Sequence, residues 1–173
     1  GPSEDADQSV APRSSGERRF GQGPGLIPTG ISAHHHEHAY SPLMVYRWAD
    51  TDAALDALLE LTDTGDAQLQ FRDPTRNRDV MPTLRCEMRR TATGTETATD
   101  RQTGSRVCAV LDGTGNVQID EQTFTLAPGD IFVVPSWATH RLHANTTLDI
   151  FTTSDAPVLE ALSLYRSEQV DPS

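Results

Sequence analysis

Histidine is the side chain best suited to hold a metal or move a proton near neutral pH, and the six histidines of this chain fall in two places. His140 and His143 stand in GDIFVVPSWATHRLHANT, Gly129 to Thr146, where a Gly-Asp turn feeds an apolar run, a Pro-initiated turn and a second strand. In a β-barrel that arrangement aims one imidazole at the barrel mouth, where a metal could be bound. Three residues apart in a strand, His140 and His143 face opposite ways, so a joint chelate is not expected, and His143 reads as partly exposed. His140 has two readings: a metal ligand, or a barrel histidine packed and hydrogen-bonded to a carboxylate or a Tyr. The other four, His34, His35, His36 and His38, lie in HHHEH. His36 and His38 would share a face if extended, and an arm could lend that pair to His140 of its own or another subunit. The plainer reading is a polar linker that collects Zn or Ni adventitiously. Cys86 and Cys108 sit in apolar runs and read as inert buried thiols of a reducing compartment, a disulfide between them being the other arrangement. Trp48 and Trp137 could line an aromatic-substrate pocket; the plainer reading puts them at the edge of a core.

The elements that must position these residues are short and mostly extended. Asp50 or Thr51 can cap a helix in which Ala54, Leu55, Leu58, Leu59 and Thr62 share a face. Beyond Asp66 the chain alternates strands and close turns. AQLQF alternates, TLRCEM places Leu84, Cys86 and Met88 on one face, and RVCAVL reads as a strand covered on both sides. DGTG is expected to close a hairpin onto NVQI, and Asp120-Glu121 to turn into QTFTL. APGD leads to IFVV, followed by HRLHA and TLDIFTT. Asp155 and Pro157 introduce VLEALSLYRSE, an expected amphipathic helix with Val158, Ala161, Leu162 and Tyr165 facing inward. Seven or eight antiparallel strands bracketed by two helices predict a sandwich or jelly-roll barrel.

Composition bounds the function. The chain has 173 residues, enough for one core, and a formal net charge of -11, which speaks against nucleic acid and anionic membrane partners. All 14 basic residues are Arg. No apolar run approaches the ~20 residues of a membrane span, and a cytoplasmic location is the expectation. Residues 1–20 read as a disordered tail whose leading Gly-Pro-Ser resembles a protease-cleavage scar. Residues 21–42 form an expected extended arm, rich in Gly, Pro and His, whose Leu26, Ile27 and Ile31 could dock on a neighbouring surface. Residues 43–168 are the expected barrel with its flanking helices.

Gly129 through Pro135 followed by His140 resembles the second motif of the cupin family: Gly, five residues, Pro, a further turn and a His. RVCAVLDGTG resembles the end of the first motif, with Gly113 and Gly115 in the turn, while Trp137 stands where the family often has a second Gly. More narrowly, YSPLMVYRW, PTLRCEM, GDIFVVPSWATHR and SDAP before VLEALSLYR resemble the C-terminal half of gentisate 1,2-dioxygenases over most of residues 40–168. These, with salicylate and 1-hydroxy-2-naphthoate dioxygenases, are bicupins that open an aromatic ring with Fe(II) and O₂. The resemblance implies an all-β fold, a cupin double-stranded β-helix (jelly-roll barrel) with a short helix before and after it.

The same resemblance implies an iron held by a His-x-His pair and a further His in the N-terminal cupin. At the family's spacing this chain has Asp100 and Gln102 in the two His places and Arg106 where a Glu ligand usually stands. An Arg directed into the site would repel a divalent cation. Arg106, if turned inward, could instead bind a carboxylate such as that of gentisate; a strand-surface ion pair is the plainer expectation. The implied role is that of a C-terminal, metal-free cupin, with Fe(II) in the parent enzyme and His140 the one motif residue retained as a candidate ligand. Its expected partners are other cupin domains, as a homo-oligomer or as the missing N-terminal cupin, with an aromatic acid as candidate ligand. The alternatives are a stand-alone cupin with its own metal-dependent dioxygenase activity, using His140 with Asp100 or the arm histidines, and a metal-free cupin that binds aromatic acids.

Overall fold

The computed structural model describes residues 45–171 apart from Thr75. The expected tail and arm over 1–42, with His34, His35, His36 and His38, lie outside the described residues.

A helix, α1 (Trp48–Leu61), precedes the strands. It begins earlier than its sequence suggests: Arg47 is the N-cap residue, and Thr51 Oγ1 donates back to the Arg47 carbonyl at 3.3 Å. Among the described residues twelve strands follow: β1 (Asp66–Gln70), β2 (Arg72–Asp73), β3 (Arg78–Asp79), β4 (Arg85–Thr91), β5 (Asp100–Gln102), β6 (Arg106–Asp112), β7 (Gly115–Ile119), β8 (Gln122–Leu126), β9 (Ile131–Val134), β10 (His140–Ala144), β11 (Leu148–Ser154) and β12 (Ser167–Gln169). Between the last two lies α2 (Ala156–Ala161).

Two five-stranded antiparallel sheets carry the fold, in the orders β1-β4-β11-β6-β9 and β12-β5-β10-β7-β8. From β4 onward the chain crosses from one sheet to the other at nearly every turn, which is the winding of a jelly roll. Asp120-Glu121 is the exception and makes the expected two-residue hairpin, with Ile119 opposite Gln122. DGTG does not close a hairpin: β6 pairs with β9 and β11, whereas β7 pairs with β8 and β10. Its two glycines let the chain turn the corner between sheets. Gly113 has φ +83°, and a Cβ there would meet the Thr147 carbonyl at 2.0 Å; a Cβ on Gly115 would meet the His143 carbonyl at 2.3 Å. The first glycine serves a left-handed backbone and a close approach, the second a close approach alone.

Between the sheets lies one apolar cluster, including Cys108, Val110, Val117, Leu126, Val134, Leu142, Leu148 and Ile150. A second apolar contact covers the outer face of the first sheet, where α1 packs on β1 and β4. There Leu55, Ala67 and Met88 are buried, and the Phe71 ring meets Tyr46 in a T-shaped contact at 5.1 Å and Phe151 in a tilted one at 6.2 Å. The apolar alternation of TLRCEM therefore marks the outer face of β4, and its polar partners Arg85, Glu87 and Arg89 face the barrel interior. The C-terminal helix is shorter than expected. It ends at Ala161, leaves Ala161 and Leu162 exposed, and gives way to β12, which pairs with β5. Pro157 starts it, but Ser163 at φ +59° breaks it, and Arg166 onward is drawn into the sheet.

Candidate functional site

His140 opens β10 and stands directly opposite Asp100 of β5 in the antiparallel register. Opposed residues share a face, so both side chains point into the barrel, and a one-residue slip would turn them both out. Two contacts fix that register. Asp120 accepts from the Thr139 amide at 2.9 Å and from its hydroxyl at 3.1 Å. The turn after Pro135 is tied to β5 and its following turn: the Trp137 amide donates to the Gln102 carbonyl at 2.7 Å, and the Gly104 amide to Ser136 Oγ at 3.0 Å. Trp137 itself sits at φ +66°, the left-handed region that Gly tolerates, which is the physical reason the second motif favours Gly there.

Arg106, the first residue of β6, reaches in from the opposite sheet. It is 8% exposed and faces the interior, so the expected strand-surface ion pair is not what forms. Its Nη1 donates to Asp100 Oδ1 at 3.1 Å, its Nη2 lies 3.1 Å from His140 Nδ1, and that nitrogen lies 2.9 Å from the same Asp100 oxygen. A neutral imidazole Nδ1 can donate to Asp100 or accept from Arg106, one at a time. Either way the three groups form a closed triangle. Arg106 Nε is buried and has no hydrogen-bond partner. Burial opposes ionisation of Asp100, but the hydrogen bond from His140, the charges of His140 and Arg106 and the Arg106 hydrogen bond outweigh it and hold the carboxyl below its usual range.

The triangle forms part of the wall of a cavity of about 420 Å³ that also includes Glu87, Arg89, Gln102 and Tyr165. Arg89 is committed to Asp66 through two hydrogen bonds of 2.8 and 2.6 Å, and Arg85 is paired with Asp79 and Glu160. Glu87 has a weaker partner, the Gln68 amide at 3.2 Å, and burial pushes its carboxyl up despite the neighbouring Arg85 and Arg106. Cys108 and Cys86 are free thiols, and burial raises both, so neither is a ready thiolate. Trp48 and Trp137 do not line this cavity; Trp137 instead carries the Arg101 guanidinium 4.8 Å above its ring. His143 is half-buried on the other face of β10, as alternation requires.

Of the residues read from the sequence, Asp100, Gln102, Arg106 and His140 come together here. Glu87, Arg89 and Tyr165 were not anticipated. The signal for the first two was present in the polar half of the RCEMRR alternation; Tyr165 was expected to face inward from a helix, and it lines the cavity from the non-helical segment after α2 instead.

A non-haem iron needs three protein ligands with open positions beside them. Among the described residues no group of three His, Cys, Asp or Glu side chains converges on a point. Beside His140 stand one carboxylate, Asp100, and the Arg106 guanidinium, and a fixed positive charge within hydrogen-bonding distance of both Asp100 and His140 does not fit a divalent ion.

Residues 88–152, from β4 into β11, match the family model described as a cupin domain. The chain is similar to a gentisate 1,2-dioxygenase from a Streptomyces species, 42% identical over 98% of this chain and 48% of that protein. It is also similar to a 5-aminosalicylate 1,2-dioxygenase from a Comamonas species, 32% identical over 82% of this chain and 38% of that protein. Among solved structures, salicylate 1,2-dioxygenase from Pseudoaminobacter salicylatoxidans, in adducts with gentisate, has a TM-score of 0.75 at 42% identity, covering 91% of this chain and 44% of that one. The chain spans about half the length, or less, of the curated relatives it matches. Residues 88–152 are thus a cupin domain, and over nearly its whole length the chain resembles one half of the gentisate and salicylate 1,2-dioxygenases.

Proposed function

We propose that this chain is the C-terminal, metal-free cupin of a cytoplasmic gentisate 1,2-dioxygenase-like protein. It contributes stability and domain contacts, while Fe(II) is held by the N-terminal cupin. The observation that carries this reading is the buried Arg106, which stands against Asp100 and His140 where a metal-binding barrel needs a further ligand. His140 is then a hydrogen-bonding partner of Asp100. On this reading the whole protein oxidises gentisate or a related hydroxybenzoate and cleaves the ring between the carboxyl-bearing carbon and its hydroxylated neighbour.

The outer surface supports the contact role. On β6 and β9 the outward residues Val107, Leu111, Ile131 and Val133 are 45%, 49%, 71% and 51% exposed, and β9 is a sheet edge. An apolar strip on an edge strand suits pairing with another sheet. The occupant we favour is another cupin barrel, supplied by the N-terminal half or by a second copy. The test is turnover by the isolated chain, purified without nickel and supplied with Fe(II), O₂ and gentisate. No ring-opened product should form at enzymatic rates. Ring-opening absorbance that disappears on His140→Ala would instead establish a self-sufficient metal enzyme.

The cavity favours a second reading, in which the barrel holds an aromatic acid without transforming it. Its volume suits a single ring, and Arg106 offers a guanidinium for a carboxylate. A saturable rise in melting temperature with hydroxybenzoates, unchanged by chelator and lost on Arg106→Gln, is the expected sign.

A further inference from the structure

We infer that residues 164–170 are a strap that opens and closes the barrel cavity, latched by Glu168 on the stacked side chains of Arg101 and Trp137. The inference goes beyond the readings above and holds for whatever molecule the barrel admits. Its first support is position. β12 is the outermost strand of its sheet, and Tyr165, Ser167, Glu168 and Gln169 supply one side of the cavity wall. When the strap swings away, β5 keeps its pairing with β10 at Asp100 and His140, so the cavity opens without dismantling the barrel.

The second support is how the strap is held. Arg166, Ser167, Glu168 and Gln169 are exposed and Leu164 is 56% exposed, so little apolar surface ties it down. Its anchors are polar. Thr103 Oγ1 donates to the Leu164 carbonyl at 3.1 Å and accepts from the Arg166 amide at 2.8 Å. The Thr103 amide donates to the Arg166 carbonyl at 2.9 Å, and the Val170 amide to the Thr99 carbonyl at 2.9 Å. Between these ends the Tyr165 hydroxyl reaches Gln102 Oε1 only at 3.5 Å. A segment with exposed hydrogen bonds and few apolar contacts opens locally, far more readily than the barrel unfolds. Ser163, left-handed at φ +59°, stands just beyond α2, where a pivot is needed.

The third support is the latch. Glu168 stands opposite Arg101 in the β12–β5 register and is ion-paired with it. The Arg101 guanidinium in turn lies 4.8 Å over the Trp137 ring, and the Trp137 amide donates to the Gln102 carbonyl at 2.7 Å. Trp137 thus grips β5 through its backbone and the strap through Arg101 and Glu168. It does so at φ +66°, a conformation that strains any residue with a Cβ. Strain of this kind persists where the surroundings hold the residue to a task, and holding Arg101 toward the strap is the task the contacts show.

The chain carries its own reporter. Cys108 is 4% exposed in the cavity wall, and the other cysteine, Cys86, does not line the cavity. The test follows the reaction of Cys108 with excess 5,5′-dithiobis(2-nitrobenzoate) in the full chain carrying Cys86→Ala. Added to that parent, Glu168→Gln and Trp137→Gly should each speed the reaction about two- to fivefold, the weight of an exposed ion pair or a cation stack. Arg101→Cys with Glu168→Cys, oxidised to a disulfide, should suppress it. Hydrogen-bonded antiparallel partners stand about 5.5 Å apart, within reach of such a bridge. The parent rate should change little up to about 1 M urea, because an opening strap exposes little surface. Amide exchange across residues 164–170 should be faster than in β10 and should slow on locking. A Cys108 rate unaffected by the disulfide, or one that rises with urea as steeply as global unfolding, would overturn the inference. Protection of the strap equal to that of β10 would do the same, as would Glu168→Gln and Trp137→Gly that both react at the parent rate. Should Trp137→Gly not fold, Glu168→Gln alters only a half-exposed side chain and decides the latch alone.

Discussion

Replacing Arg90 by Ala should detach α1 from the barrel and destabilise the chain by about 4 kcal/mol. Arg90 is 7% exposed and donates to both oxygens of the buried Asp149 at 2.8 and 2.7 Å. It also donates to Asp52 at 2.7 Å and Asp56 at 2.6 Å, both on α1. The two groups of bonds differ in weight. Asp52 and Asp56 side chains are 45% and 64% exposed, so each pair contributes about 0.2–1 kcal/mol. Asp149 is 4% exposed, and without Arg90 its charge is buried unpaired, a loss of about 3–5 kcal/mol. For a domain of this size that corresponds to a fall of about 15 °C in Tm. Urea unfolding followed by far-UV circular dichroism gives the loss directly. Trp48, the first residue of α1, reports whether the helix leaves first when Trp137 is replaced by Phe. The double variant Arg90→Met with Asp149→Leu removes both charges and should recover most of the stability. A loss below about 1 kcal/mol in Arg90→Ala, or a double variant no better than the single, would refute the reasoning.

Two carboxyls in the barrel should respond to pH with opposite signs. Burial raises the Glu87 pKa in the folded state, so ionisation costs stability above the ordinary Glu value of about 4.3; Glu87→Gln should raise Tm at pH 7, and the gain should vanish near pH 4. Asp100 is held low, so its contribution is present above about pH 4 and lost as pH falls through its folded value; Asp100→Asn should lower Tm at pH 7 and converge on wild type in acid, both measured by calorimetry across pH. At Trp137, Gly should be about 1 kcal/mol more stable than Ala in urea titration, because both lose the stack with Arg101 but only Gly relieves the left-handed backbone. Ile131→Lys with Val133→Lys should abolish self-association in sedimentation velocity without lowering Tm, both side chains being exposed; a wild type that is already monomeric at about 100 µM excludes a second copy as the occupant of this strip.

Much of the architecture was legible because strand alternation and turn chemistry are local. GDIFVVPSWATHRLHA reads as turn, strand, turn and strand, and forms them. The errors came where one local pattern serves two geometries. DGTG has hairpin composition, and what denies it a hairpin is the distant loop at Thr147 packed against Gly113. The alternation of TLRCEM is real, but which face is the barrel interior depends on α1 lying over Met88. VLEALSLYRSE has helical periodicity, yet Ser167–Gln169 finds partners in β5, some 65 residues earlier, and is extended. At the site, the resemblance to the cupin motifs, counted at their spacing, placed Asp100, Gln102 and Arg106 near His140. It did not determine that Arg106 turns inward, because strand parity is set by where the corner at Gly104 falls, and that corner is held by contacts with Ser136.

The sheet-to-sheet winding has a kinetic consequence. With β4, β6, β9 and β11 in one sheet and β5, β7, β8 and β10 in the other, neither sheet can assemble from a continuous stretch of chain. The loops between partner strands must close before pairing stabilises them, which places folding in the slow range of about milliseconds to seconds. During that interval β9, with two of its four residues apolar and outward, waits for β6 with its other edge bare. A nascent barrel is therefore most prone to capture by another chain along the same strip that we propose for a partner barrel. Rapid association with a second cupin domain would protect the folding intermediate as well as complete the assembly.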